Sequence, residues 1–347
     1  MRLKLEYEKG QSITLDVYDR NFWVGVFPQK SWKIFRGLKR FKSGKALSEL
    51  EENIYGEDGI TIFLNDKQLK PRDISIHTIE SQADILAECD YIKGTFMYEQ
   101  MQTYKTDVEV NRLLEEITDQ ILQIELHIQK DFNCFSDKIF PIFTPLNYQH
   151  LLKNHLLFSY QENKTALPLQ AMDSAHLLNE YCNLLRFEID RSGKENWIIL
   201  KNPESFLSTE NLRVIVKNFE KISKTTQRLK VFFVCDHFLD LDYTYEDIEK
   251  TTILGITDEQ LPPYDELIRA IKLRHPEEYY ESQDVLLKRL YRILPYLGTD
   301  TSNLFLFPKD IVLLKILMDM FGYEWEHQKI RIEELSPLEK AFLFKER

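Results

Sequence analysis

Apolar positions change their spacing along this chain, and each change marks a different kind of element. In the first hundred residues, short apolar runs separated by polar turns predict strands at 12–17 and 22–27 around a turn at 18–21. Further strands are predicted at 60–64 and 74–79, with Asn65-Asp66-Lys67-Gln68 as a hairpin turn after the first of these. Between them Trp32, Phe35, Leu38 and Phe41 recur every three residues, a short amphipathic helix over 30–45, and 83–88 reads as a short helix or turn. From Thr106 the period shifts. Val110, Leu114, Ile117, Ile121, Ile124 and Ile128 step by four and three, a heptad-like seam. Asp107 suits its N-cap, and 131–133 its end. A second apolar stripe through Leu177, Leu178, Tyr181, Leu184 and Leu185 predicts a helix over 173–188, and a shorter one covers 147–158. These helices read as an antiparallel hairpin inserted into an α/β unit, either a plain helical subdomain or an arm for self-assembly.

After the insert the α/β pattern returns. Residues 197–200 form an apolar strand, 202–208 a turn, 209–228 a helix capped by Ser208 or Thr209, and 231–235 a buried strand ending in Asp236. Strand, crossover helix, strand is the βαβ unit of a parallel sheet. Pro262 and Pro263 then mark a boundary, followed by helices at 265–273, 284–294, 309–321 and 337–344; Pro308 suits the first turn of the third. The expected organisation is a discontinuous α/β head with a mostly parallel sheet (1–104 and 191–257), a helical leg (105–190) and an all-helical C-terminal extension (258–347).

The helix at 209–228 has two faces that disagree. At about 100° per residue, Arg213, Lys217, Lys221, Lys224 and Arg228 fall within roughly an 80° sector, opposite Leu212, Ile215, Val216, Phe219 and Ile222. A row of like charges repels itself, and this chain, at net charge −11, has carboxylates enough to have balanced it. Two readings fit: a rail for phosphates, or a solvated face on a surface helix. Residues 30–45 add a second cationic stretch, with seven basic side chains and no acidic one, which includes Lys33, Arg36, Lys39 and Arg40.

Composition narrows the class. The 347 residues suffice for two or three cores, and 43% hydrophobic content marks a packed globular chain. Charges at Arg2, Lys4 and Glu6 interrupt the apolar run a signal peptide needs, and no window resembles a transmembrane span. Cys89, Cys134, Cys182 and Cys235 form no CxxC pair and read as reduced thiols of a cytoplasmic protein.

Catalytic signatures are incomplete. Ser43-Gly44-Lys45-Ala46 resembles the end of a nucleotide-binding Walker A loop, yet Lys39 stands where its first glycine belongs and Ala46 where its metal-binding hydroxyl belongs. The strand 231–235 with Asp236 matches the loose Walker B pattern. Asp236, Asp240, Asp242, Glu246 and Asp247 crowd together after that strand, without a nuclease-type lysine spacing; a solvated acidic loop is the competing reading. The histidines show no metal-ligand spacing. Trp32, Phe35 and Phe41 fit either base stacking or core packing. The alternatives to a DNA-binding protein are therefore a P-loop-type hydrolase or metal-dependent nuclease, and a protein-interaction scaffold.

Several stretches carry a family resemblance: Ile62-Phe63-Leu64-Asn65-Asp66-Lys67-Gln68-Leu69-Lys70 followed by 85–91, Trp197-Ile198-Ile199-Leu200-Lys201-Asn202 with Phe206-Leu207-Ser208, and Val231-Phe232-Phe233-Val234 with 240–252 behind it. Over roughly 1–257 the chain resembles the type II-A CRISPR adaptation proteins of the Csn-two family, in their long, C-terminally extended form. The resemblance implies a degenerate P-loop-like head without nucleotide and a helical leg. It also implies a homotetrameric ring whose basic hole takes double-stranded DNA ends, with no enzymatic activity. It implies spacer acquisition beside the CRISPR integrase proteins and the effector nuclease. Family members also bind calcium at the end of the first leg helix. Here Glu125 matches one acid, Lys130 and Asn133 interrupt the run, and Asp131 and Asp137 lie nearby.

Overall fold

The computed structural model describes residues 1–104, 106–136, 138–144, 146–279, 281–299, 306–325 and 333–344. The chain forms two compact units, Met1–Asp84 with Ile189–Arg347, and Ile85–Glu188. The first begins with strands β1 (Arg2–Glu8), β2 (Gln11–Asp16) and β3 (Arg20–Val24), helices α1 (Pro28–Ser43) and α2 (Glu49–Tyr55), then β4 (Thr61–Leu64), β5 (Lys67–Leu69) and β6 (Ile74–Ile79). Helix α3 (Gln82–Glu88) leads into the second unit, which holds α4 (Phe96–Thr103), α5 (Val108–Phe132), α6 (Tyr148–His155), strands β7 (Ser159–Glu162) and β8 (Thr165–Pro168), and most of α7 (Ser174–Ser192). The first unit resumes with β9 (Glu195–Lys201), α8 (Thr209–Thr226), β10 (Leu229–Cys235), β11 (Thr251–Leu254) and β12 (Asp258–Gln260). It closes with α9 (Tyr264–Arg274), α10 (Gln283–Ile293), α11 (Pro308–Phe321) and α12 (Pro337–Leu343).

Two sheets organise the first unit. A six-stranded sheet runs β12-β11-β3-β10-β9-β6, parallel throughout except for β12, and a four-stranded antiparallel sheet runs β2-β1-β4-β5. The expected hairpin of 12–17 with 22–27 is not formed. Strand β2 pairs with β1, Leu3 opposite Leu15, while β3 enters the parallel sheet between β10 and β11. The reason lies in burial. In β3, Asn21 to Val24 are all buried, the mark of a strand covered on both faces, whereas β2 alternates buried and exposed. The hairpin after β4 does form, with Asn65 and Asp66 both at positive φ as a two-residue primed turn requires.

The head core gathers Ile34, Phe35 and Leu38 of α1 with Leu3, Leu5, Trp23, Trp197 and Phe232. Fully buried Phe35 is a sensitive point, since truncating such a ring to alanine costs about 3–5 kcal/mol. A second core is built by the C-terminal helices: Leu267, Ile271, Leu290, Ile293, Leu313 and Leu317 pack with Ile253 of β11. Asp310, fully buried in the first turn of α11, accepts from Arg289 Nε at 2.6 Å and meets Arg292 Nη2 at 2.6 Å, a carboxylate placed where a helix dipole favours it.

In the second unit, Asp107 caps α5 by accepting from the Val110 amide at 2.8 Å. None of the 25 residues of α5 is buried, and Leu113, Ile117, Leu122, Ile124 and Leu126 are exposed. Helix α7 instead buries Leu177, Leu178, Tyr181 and Leu185, with the Phe96 ring 5.5 Å from that of Tyr181. Among the described residues no helix is long and apolar enough to cross a membrane.

Candidate nucleic-acid interface

Helix α8 begins where Ser208 Oγ accepts from the Asn211 amide and ends at Gln227, whose positive φ turns the chain into β10. Leu212, Ile215, Val216, Phe219 and Ile222 are buried, packing the helix on β10. That fixes which face looks outward: Lys217, Lys221 and Lys224 are exposed and Arg213 half-buried. Arg228 is also exposed but lies beyond the cap, so it joins the stripe from the turn rather than from the helix. From Arg213 to Lys224 the stripe runs about 16 Å at 1.5 Å per residue.

Neighbouring carboxylates leave most of this stripe unclaimed. Arg213 Nη2 meets Asp240 Oδ1 at 2.8 Å. Among the described residues, Lys217, Lys221, Lys224 and Arg228 form no ion pair. Glu220, on the edge of the stripe, is held by Arg20. Arg20 in turn grips fully buried Asp247, Nη2 to Oδ1 at 2.6 Å and Nη2 to Oδ2 at 2.7 Å. Burial alone would lower the Arg20 pKa, but Asp247, Glu220 and Asp19 together raise it. Beside this clamp a cavity of about 330 Å³ is lined by Arg213, Lys217 and Lys224 together with Glu220, Asp242 and Glu246.

The second cationic stretch turns out differently. Five of its seven cations are neutralised one by one, while exposed Lys42 and Lys45 form no ion pair among the described residues. Lys33 Nζ lies 2.8 Å from Glu8 Oε2, and Arg36 shares the same carboxylate. Lys39 pairs with Glu80, and Arg40 Nε donates to Glu51 Oε1 at 2.7 Å. Lys30 Nζ sits 2.8 Å from Asp258 Oδ1. Arg40 and then Ser48 hold the Glu51 carboxyl down at about 2. Phe35 and Phe41 are core residues; Trp32, 44% exposed, has the Lys201 ammonium 4.4 Å from its ring centroid. The sequence could not show these carboxylates because they arrive from β1, α2, β12 and the end of β6.

The Walker-like fragments also find structural roles. Gly44 is the left-handed C-cap of α1, its amide donating to Phe41 O at 3.1 Å, so the motif sits at the helix end that repels anions. Only Gly25, Val26 and Phe27 join β3 to α1, and a Cβ on Gly25 would lie 2.2 Å from Leu254 O, leaving little room for a phosphate cradle there. Asp236 is matched by Asn202: Nδ2 of Asn202 donates to it at 3.1 Å, and the Asp236 amide donates back to Asn202 Oδ1 at 3.2 Å.

The acids after β10 disperse rather than converge, Asp236 to Asn202, Asp240 to Arg213 and Asp247 to Arg20. Among the described residues no group of three metal-ligating side chains comes together. Glu125 accepts from the Phe143 amide. Asp131, six residues on, points about 120° away around α5, and Asp137 lies outside the described residues. Glu125 and Asp131 therefore do not form a calcium cage between themselves; an ion there would need further donors.

Residues 11–343 match the model of a family described as CRISPR-associated protein Csn2 subfamily St. No curated protein matches the chain. Among solved structures, the crystal structure of Stu0660 of Streptococcus thermophilus is similar with a TM-score of 0.77 and 19% identity, covering 99% of both chains. That likeness concerns the fold.

Proposed function

The chain belongs to the CRISPR-associated Csn2 family, subfamily St, which implies a role in CRISPR adaptation, and from that premise we propose that it is a non-catalytic, ring-forming protein that binds double-stranded DNA ends. The observation that carries the reading is the α8 stripe, where Lys217, Lys221 and Lys224 stand exposed without carboxylate partners among the described residues. Duplex DNA presents about one charge per 1.7 Å of axis, so a stripe of this length spans several phosphates. Such contacts carry no base information, which suits a protein that must accept any incoming sequence. The exposed apolar side chains of α5, Leu113, Ile117, Leu122, Ile124 and Leu126, support assembly of several copies, with a tetramer as the expected state. In this reading the first unit is a degenerate P-loop-like head that holds no nucleotide. The CRISPR integrase proteins and the effector nuclease are its partners in the cytoplasm.

Native mass spectrometry with and without a short blunt duplex tests the proposal. The expected species is a homo-oligomer that takes up one duplex. A monomer unchanged by DNA would overturn the reading. A closed circular duplex should bind far more weakly than a linear one of equal length, and equal affinity would sink threading through a ring. Replacing Lys217, Lys221 and Lys224 by glutamate should abolish the DNA-bound species and leave the oligomer in place.

A further inference from the structure

The segment 236–247 lies against the very helix face that the proposed function assigns to DNA. Its backbone is fastened at both ends, and its carboxylates stand exposed between them. Asp247 is fully buried under Arg20, and the Thr244 amide donates to the same carboxylate at 2.7 Å, so this end is fixed. The other end is tied by Asp236 to Asn202 and by buried Leu239, but between the two the Asp240 side chain is 73% exposed and that of its partner Arg213 41%. Asp242 and Glu246, also exposed, line the cavity they share with Lys217 and Lys224, where Glu246 lies 3.9 Å from Lys250 Nζ. An anchored strip of carboxylates thus stands beside the cations that a phosphate backbone would use.

We propose that this acidic segment is an electrostatic gate beside α8: in the free protein Asp240 holds Arg213 and Asp242 shares the cavity with Lys217 and Lys224, and a DNA backbone binds by displacing these carboxylates. The inference rests on the DNA-binding reading. Solvent-exposed ion pairs exchange readily because their net strength is small, whereas the buried Arg20–Asp247 clamp keeps the segment close and able to return. A lone phosphate gains little by evicting Asp240. A duplex, meeting several cations at once, can displace the whole strip, so the gate favours long polyanions over small ones. There is also a signature in salt dependence. A phosphate that takes Arg213 releases a carboxylate, which recruits a cation from solution and cancels part of the counterion release.

The test is a salt titration of blunt-duplex binding by the full chain and three variants. D240N/D242N opens the gate. E57Q/D58N makes the same charge change on the exposed loop after α2. K217E/K221E/K224E removes the stripe. D240N/D242N is expected to bind about fivefold more tightly at low salt, with a slope of log K against log salt steeper by about one, while E57Q/D58N matches the wild type. An equal gain in both would overturn the gate as a mere net-charge effect. Unchanged affinity and slope in D240N/D242N, with wild-type binding that the stripe variant abolishes, would overturn the gate and leave the DNA reading intact. Binding by none of the four would overturn both.

Discussion

Helices α1 and α8 look like twins in the sequence and behave as opposites in the fold. Each buries one apolar face, on which α1 places Ile34, Phe35 and Leu38 and α8 places Ile215, Phe219 and Ile222. Each presents lysines and arginines on the other. Around α1, Glu8, Glu51, Glu80 and Asp258 come from separate elements and claim Lys30, Lys33, Arg36, Lys39 and Arg40, leaving Lys42 in the last turn. Around α8, Asp240 claims Arg213 alone, and Glu220 is drawn aside by Arg20. The lesson concerns what a charge run means. Cations close in sequence signal a site only if the carboxylates distant in sequence stay away.

The sharpest way to break this contrast is a matched pair of neutralisations. K217Q/K221Q/K224Q is expected to weaken duplex binding by roughly thirtyfold or more and to flatten the salt slope by about one per lost contact. K33Q/R36Q/K39Q should leave affinity within about threefold and lower the melting temperature instead, because Glu8, only 10% exposed, would keep its charge without partners. Equal losses of binding in a fluorescence-anisotropy titration would abolish the distinction. A smaller effect comes from unmasking α1. Glu8→Gln with Glu80→Gln frees three cations and should tighten duplex binding by about threefold, and no change would mean that α1 cannot reach DNA even when unpaired.

The smallest effect is in acid. Glu51 has its carboxyl pKa depressed from 4.5 to about 2 by Arg40 and Ser48. A depressed folded-state value contributes stability that is present above 4.5 and fades as the pH falls toward about 2. Arg40→Ala should therefore flatten the acid limb of the stability profile in that window. Urea unfolding at stepped pH would reveal it, and an identical acid limb in both proteins would show that the Arg40 pair does not hold α1 and α2 together.

Most helices were legible because their signals are local. Asp107, Ser208 and Pro308 mark the starts of α5, α8 and α11, and each apolar stripe gave its buried face, except on α5, whose seam is not buried. Helix α2 lacks an apolar period and is held by the reciprocal capping of Ser48 and Glu51, a signal present in the sequence yet easy to pass over. Strand β1 was hidden by its charges, although Leu3, Leu5 and Tyr7 alternate as a half-buried strand should. The pairing of β2 with β1 instead of β3 depends on long-range sheet order, which no local pattern carries. The same holds for the candidate site. The stripe itself was readable, whereas its gating carboxylates and the neutralisation of α1 depend on which distant acids the fold delivers.

Helix α5 carries a thermodynamic corollary. A helix of 25 residues with no fully buried side chain, in which Val110, Leu114, Ile121 and Ile128 are only half-buried, has little tertiary packing to hold it, and isolated helices are marginal in water. Its persistence becomes a matter of mass action, since each protomer that covers the apolar side chains of another withdraws them from water. Dilution should accordingly act on this arm as a denaturant would, while the sheet-centred unit, with its own cores, keeps a melting point indifferent to concentration.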